Sequence, residues 1–598
     1  MRVCVRFISV VLVLIGLFSC STSPAQQESI EGLWLWTANQ PDKLRDVQIE
    51  RKQNTWRAVV NGQPAEVEAA NNQLLLKAPL EEQFNGYVDS ENQEIVGWWR
   101  QPSSDLAYST MVTRVTFSAS GEQKWEGRFN AQDRPFRVYL DVFNHADDGL
   151  FAAIRNPERN EMMWATRFRV EEIDAQRWSL VAGSGERARR YALQRVDGGL
   201  ELEHTWFDEP LRLRRANNSD RVGYDPSDLP RRYTPPPQLE DGWGVADAGA
   251  VGFDPTVLDR MVADIAASDP RSRRPRLLHG VLASYQGELV LEEYFYGYDR
   301  NTPHDTRSLG KVFAPVLVGA LQQRGVSIDA NDRPIEELLD ASGEPLDDPR
   351  KRDITLGQLM SFTSGLDCDV TNPNSRGNED QMWGQSEEPN FWMYAAKLPL
   401  LHEPGSRYAY CSASINLAGA SIEKAGGDSI QELFHELIAT PLQFGDYHWN
   451  LAPNGKAYLG GGPYLLPRDI LKIGAMHAAG GLWNEQRVLP AEWVSESTTP
   501  VMQINPQTTG MDEDTFNNNY FGGAAGYEWR MDRVILTADS YMSYEASGNG
   551  GQVLIVVPEL ELAVLFMGGN YRHGSVWGRW RNEIIGGYLI PALKNLED

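Results

Sequence analysis

Ser308-Leu-Gly-Lys311 sets a hydroxyl and an amine three residues apart. On a helix, residues at that spacing share a face. The pair follows a polar turn, Pro303 to Arg307, and opens an apolar run, Val312-Phe313-Ala314 and then Val316-Leu317-Val318. This predicts a helix N-terminus, where main-chain N–H groups favour developing negative charge. A serine hydroxyl is a weak nucleophile until a neighbouring base or cation activates it, and Lys311 supplies that neighbour. Pro315 sits early in the run and predicts a kink or a loose first turn. A second S-x-x-K, Ser421-Ile-Glu-Lys424, has no turn before it and ends at Gly426-Gly427. It reads as helix interior running to a C-cap, so context assigns the chemistry to Ser308.

Further segments follow in order. Gly287-Glu-Leu-Val-Leu-Glu-Glu-Tyr-Phe precedes Ser308, and Asp353 to Leu366 follows it. Pro404-Gly405 leads into Tyr408-Ala-Tyr410-Cys411-Ser412 and Asn416-Leu417-Ala-Gly419. Ser547-Gly548-Asn549-Gly550-Gly551-Gln552 runs into a final hairpin. S-x-x-K, then Y-x-S after Pro-Gly, then a Gly-rich triplet on a strand is specific as an ordered set. In this set residues 245–598 resemble the serine β-lactamase-related superfamily of the class C type, with its β-lactamases, DD-peptidases, esterases and D-aminopeptidases.

The resemblance implies Ser308 as nucleophile, Lys311 as its cationic neighbour and Tyr410 as general base and later acid. It implies an oxyanion hole from the N–H groups of Ser308 and Gln552, and substrate contacts from Ser412, Asn549, Gly550 and Gly551. A phenol with a pKa near 10 is only about 0.1% ionised at pH 7. A nearby ammonium is expected to lower that pKa by about 1–3 units. Whether Lys311 or Tyr410 takes the first proton stays open. Tyr408 is the rival tyrosine, but only Tyr410 holds the Y-x-S position.

Two positions depart from the family pattern. Ser412 stands where Asn is usual, and Asn549-Gly550-Gly551 stands where the triplet opens with a cation. An Asn donates hydrogen bonds but carries no charge, which favours esters or neutral amides over carboxylate-bearing substrates. Arg376 and Arg530 are the candidate substitute cations, with a salt-bridged surface arginine as the plainer reading of each.

The rest of the chain must carry this site. At 598 residues it is too long for one core. Residues 30–116 and 117–232 read as two β units, or as two halves of one barrel, from short strands between turns such as Asn61-Gly62 and Asn85-Gly86. A Pro-rich linker, 233–244, contains Pro235-Pro236-Pro237. In 245–598, strands at both ends surround a helical middle, which predicts an α+β domain with one antiparallel sheet and a helical subdomain. The whole is then an all-β barrel or sandwich region followed by a β-lactamase/DD-peptidase-like domain. Thr371 to Asn390 is polar and turn-rich, and is read either as a roof over the cleft or as an exposed insertion.

A formal net charge of −26 excludes an ordinary phosphate-binding surface, so no nucleic-acid partner is expected. Residues 1–20 pair two arginines with an apolar stretch and end in Leu17-Phe18-Ser19-Cys20. That describes an export signal, and it resembles a bacterial lipobox with Cys20 as the lipidated residue, apart from Phe18. The expected setting is the periplasm, on an outer-membrane lipoprotein touching the membrane only through its anchor. Cys368 and Cys411 remain in the body. An exported context permits a disulfide between them; two buried thiols is the alternative. With no C-x-x-C and no H-E-x-x-H, no metal site is expected, and no cofactor is called for. The leading expectation is an exported serine hydrolase that cleaves an ester or amide of a small molecule or peptide through an acyl-enzyme. Its alternatives are a β-lactam- or D-amino-acid-peptide-processing enzyme and a non-catalytic cell-envelope binding protein.

Overall fold

The computed structural model describes residues 29–593 apart from 39–42, 54, 104–108, 133–135, 146–148, 159–166, 186–187, 206, 226–230, 344, 521 and 537–538. The leader with Cys20 lies outside the described residues.

The N-terminal region forms two closed barrels. In the first, the strands from Leu44–Lys52 to Met111–Gly121 run as an antiparallel meander, and Lys124–Asn130 closes it by pairing with both end strands. Alternation sends Val47, Ile49, Leu74, Leu76, Phe84, Ile95 and Phe117 inward, so packed side chains fill the interior. One polar group is admitted: Arg45 pairs with Glu82 at 2.7 Å, and Glu82 also accepts the Trp99 indole N–H at 2.7 Å. A buried charge is tolerable only when paired in this way.

The second barrel corrects the expected division at residue 116. Gly32–Thr37 does not join the strands that follow it. It pairs with Arg137–His145 on one side and Leu211–Arg215 on the other, closing the later barrel. Each barrel is thus complete in itself, and the reading as two halves of one barrel does not hold.

The remainder is α+β. A nine-stranded sheet carries, in order, Gly244–Val245, Glu288–Tyr294, Leu278–Tyr285, Leu562–Gly568, Gln552–Val557, Ser540–Gly548, Arg530–Ile535, Ala524–Ala525 and Met502–Gln503. The pairings are antiparallel except the first. Helix Pro255–Ala266 and the π-helical stretch Arg581–Leu589 share one apolar core with this sheet. Helices Phe313–Gln323, Ser412–Gly426 and Pro467–Ala478 share the other. The linker is fastened rather than loose. Arg468 donates to the Pro237 carbonyl at 2.9 Å and bonds Asp241 at 2.8 Å, and the Thr234 N–H reaches Glu293 at 3.1 Å.

The first barrel is stitched to the α+β unit. Its strand Met111–Gly121 continues into His448–Asn450, which pairs with Pro463–Leu465, which pairs with His304–Asp305, just ahead of Ser308. Trp98 and Arg114 on the barrel both donate to Glu432 at 2.7 Å.

Candidate active site

The segment carrying Ser308 is a 3-10 turn, Arg307–Val312, which hands over to the α-helix Phe313–Gln323. This is the loose first turn that Pro315 implied. It also improves the chemistry, because side chains three apart eclipse in a 3-10 helix. Lys311 Nζ donates to Ser308 Oγ at 2.8 Å and to the Gly460 carbonyl at 2.6 Å. The Lys311 side chain is fully buried, whereas Ser308 stays partly open.

The turn is clamped from two sides. Arg307 has φ +48, the left-handed region that non-glycine residues seldom occupy. A Cβ on Gly461 would fall 2.7 Å from the Arg307 carbonyl, and one on Gly548 would fall 2.6 Å from the Thr306 oxygen and 3.0 Å from the Leu309 nitrogen. Only glycine permits both approaches.

Tyr410 stands over the amine, with Lys311 Nζ 5.0 Å from its ring centroid. The Phe362 ring holds it at 4.5 Å, and the main chain of Tyr410 is tied to Val370 and Tyr520. Its rival Tyr408 is buried among Phe362 and Tyr520 and serves the core. Burial pushes the Tyr410 phenol up and the Glu528 charge adds to this; the Lys311 ammonium and hydrogen bonds from Ser308 and Lys311 pull down without cancelling it. The expected lowering is therefore overturned. For Lys311, burial pulls down, but Tyr410, Glu379 and Glu528 outweigh it and the amine is held above its ordinary value.

Other expected site residues fall elsewhere. Ser412 is fully buried, begins helix Ser412–Gly426, and its hydroxyl donates to Glu379 at 3.4 Å. Asn549 is exposed, and its side chain accepts the Arg572 N–H at 2.7 Å. Gly550 lies against Tyr571 and Gly551 against Trp577 and Trp580. Gln552 opens the next strand, pairs with Gly548, and exchanges two hydrogen bonds with the Gly568 main chain through its carboxamide. The main chain that abuts the Ser308 turn is that of Gly548, at the end of Ser540–Gly548. The expected triplet is therefore displaced toward the N-terminus by physical contact.

Cys368 and Cys411 are joined in a disulfide. Cys411 caps helix Ser412–Gly426, its sulfur accepting the Ser414 N–H at 3.1 Å. Arg530 is engaged by Glu545 and Asp532, and Arg376 is exposed. The stretch Thr371 to Asn390 is not a free insertion: Glu379 accepts the Tyr458 hydroxyl, and Trp383 packs on Tyr458 and Phe391. The second motif is structural, since Lys424 pairs with Glu337 at 3.2 Å on the surface and Ser421 is buried.

Sequence reasoning missed Glu528. Its backbone is left-handed at φ +64, and its Oε1 is buried without a hydrogen-bond partner among the described residues. No sequence signal marks it, because neither property is visible in residue type.

Residues 274–570 match the family model described as Beta-lactamase, and that part of the chain has the β-lactamase/transpeptidase-like fold. The acyltransferase mokF of Monascus pilosus is 28% identical over 163 residues, which cover 25% of this chain and 39% of that protein. The lovastatin esterase of Penicillium rubens is 28% identical over 103 residues, 17% of this chain and 26% of that one. The chain therefore spans two fifths or less of the length of these curated relatives. Among solved structures, a putative 6-aminohexanoate-dimer hydrolase from Bacillus anthracis aligns with TM-score 0.43 and 17% identity, over 63% of this chain and 90% of that one.

Proposed function

We propose that this protein is a serine hydrolase that cleaves an ester or neutral amide through an acyl-enzyme on Ser308. The observation that carries the reading is the 2.8 Å bond from a buried Lys311 ammonium to Ser308 Oγ, with Tyr410 over the same amine. Tyr410 takes the hydroxyl proton as Ser308 attacks the carbonyl, and returns it to the departing alcohol or amine. Water then attacks the acyl-enzyme with Tyr410 again as base. Lys311 stays protonated throughout and stabilises the charge on Tyr410. We assign the oxyanion donors to the Ser308 N–H and to the Asn549 N–H, because Gly548 abuts the nucleophile turn and Asn549 is the next amide along. Of the two candidate substitute cations, Arg530 is held in ion pairs and Arg376 is exposed. This supports neutral acyl substrates over β-lactams. We further propose export, with Cys20 lipidated; the Cys368–Cys411 disulfide suits an oxidising compartment.

The test is intact-mass analysis of wild type and Ser308→Ala after a fluorophosphonate probe and, separately, a penicillin. The expected result is a probe adduct on wild type alone and no lasting penicillin adduct. Penicillin acylation or turnover would move the reading to peptidoglycan or β-lactam chemistry. No adduct from either reagent would move it to a binding protein.

A further inference from the structure

Glu528 is the charged group in this site that the mechanism leaves unused. Its main chain is fixed: the Glu528 N–H donates to the Met360 carbonyl at 2.9 Å, two residues before Phe362, whose ring holds Tyr410. That bond sets Glu528 beside the segment that carries Phe362, and its carboxyl acts electrostatically on Lys311, Tyr410 and Tyr408. Two features of Glu528 are costly for folding. A glutamate occupies a left-handed backbone position that glycine would fill without strain, and its Oε1 is buried with no hydrogen-bond partner among the described residues. Strained backbone at a binding site, and a buried polar atom left without a partner, each point to a ligand that completes the site.

The surrounding charges say what that ligand carries. The acidic groups acting on Lys311 are Glu528 and Glu379, and Glu379 is already engaged by Tyr458 and Ser412. The nearby Arg530 is engaged by Glu545 and Asp532. A substrate carboxylate would meet Glu528 while Arg530 is already engaged, and would have only Lys311, which is committed to Ser308 and Gly460, to offset it among the groups described above. A substrate ammonium would find an acceptor.

We propose that Glu528 is a specificity-determining residue of the Ser308 cleft, accepting a hydrogen bond at Oε1 from an ammonium group of the substrate. The preferred substrates are then esters or amides that carry an amine a few bonds from the scissile carbonyl. This rests on the acyl-hydrolase reading above and names its substrate class. Burial pushes the Glu528 carboxyl well above the usual range, with Lys311 alone pulling it down. An arriving cation adds to that pull, and the carboxyl proton leaves to solvent as the ion pair forms.

The test uses two pairs of isosteric esters with wild type, Glu528→Gln and Glu528→Gly. One pair is 2-(dimethylamino)ethyl acetate and 3-methylbutyl acetate; the other is ethyl 4-(dimethylamino)butanoate and ethyl 5-methylhexanoate. Together they place the cation on either side of the ester. For wild type, the ratio of kcat/KM, cationic over neutral, is expected at about tenfold or more in at least one pair. Both variants are expected to lower that ratio by about tenfold. Glu528→Gly suits the backbone and guards against loss through misfolding, which its melting temperature reports. A wild-type ratio near one in both pairs, or the same ratio in the variants, overturns the proposal while fluorophosphonate labelling of Ser308 leaves the hydrolase reading standing. Absence of labelling together with no hydrolysis of any ester overturns both.

Discussion

Lys311 Nζ lies 2.6 Å from the carbonyl oxygen of Gly460, a main-chain atom far away in sequence. That bond aims the amine. An ammonium has three donors and a flexible stem. With one donor on Gly460 and another on Ser308 Oγ, the charge is fixed beside the nucleophile and beneath the Tyr410 ring. Lys311→Met keeps the stem and removes both bonds. It is expected to slow fluorophosphonate labelling of Ser308 by about 10²–10⁴-fold. Lys424→Met, in the second S-x-x-K, is expected to leave labelling at the wild-type rate. Equal loss in both variants would remove the distinction between the two motifs.

The direction of the Tyr410 shift predicts the pH profile. Its folded pKa lies above its ordinary value, so the phenolate fraction at neutral pH is small and grows with every unit of pH. Lys311 is also held above its ordinary value, by Tyr410 first and then by Glu379 and Glu528. On a stable ester, log kcat/KM is expected to rise with a slope near one from about pH 6 to about pH 9. Tyr410→Phe is expected to abolish that limb and lower kcat/KM by about 10²–10⁴-fold. A flat wild-type profile would remove Tyr410 as the base.

Stability has its own pH dependence, set by histidine. His204, His304 and His477 are buried, and burial pulls each down to about 4; His279, stacked on Tyr298, is pulled well below its ordinary value. In the unfolded chain these groups take up protons near pH 6.5. Below that pH the unfolded state binds protons that the folded state does not, so stability falls as pH falls. Each histidine contributes a slope of up to about 1.4 kcal/mol per pH unit between about pH 6.5 and its folded pKa. Glu293, pushed up to about 7 by burial, acts in the opposite direction over the same interval, so Glu293→Gln is expected to show a larger drop in melting temperature from pH 7.5 to 5.5 than wild type. Equal melting temperatures of that variant at the two pH values would mean that the rings protonate without unfolding.

The Ser308–Lys311 contact was legible because the two residues are three apart, and that spacing survives the change from α to 3-10 geometry. The late hairpin around Pro558 was legible for a similar reason: it is local. Strand partners were not. Nothing in Gly32–Thr37 says that it skips the adjacent strands to pair with Arg137–His145, because pairing is decided by contacts distant in sequence. The Gly-rich run from Gly548 to Gly551 offers several glycines, and residue type alone does not say which one touches Ser308. Ser412 sits one helical step inside the core, a matter of packing that a motif does not record.

The disulfide next to Tyr410 predicts a coupled loss of stability and rate. Cys411 is both a bridge partner and a helix cap, and the Val370 N–H holds the Tyr410 carbonyl at 3.0 Å on the Cys368 side. Cys368→Ala with Cys411→Ala is expected to cost about 2–4 kcal/mol of stability and to lower kcat, since the segment presenting Tyr410 loses its tether. Chemical denaturation and ester kinetics, with and without reductant for wild type, check both effects. Unaltered kcat in the reduced protein would assign the bridge to stability alone.

The first barrel supplies an edge to the nucleophile's own support. His448–Asn450 pairs with Met111–Thr113 on one side and Pro463–Leu465 on the other, and the latter pairs with His304–Asp305. Trp449, within that strand, is fully buried. Removing residues 29–232 would leave His448–Asn450 as an open edge, which invites pairing with other chains. It would also leave Glu432 without Trp98 and Arg114. The truncated protein is therefore expected to self-associate in size-exclusion chromatography and to label slowly with fluorophosphonate. Glu432→Ala tests the same junction more gently: it strands a largely buried Arg114 and is expected to cost about 1–3 kcal/mol. A truncated protein that stays monomeric and labels at the wild-type rate would show that the strand ladder merely attaches the barrel and does not hold the turn that presents Ser308.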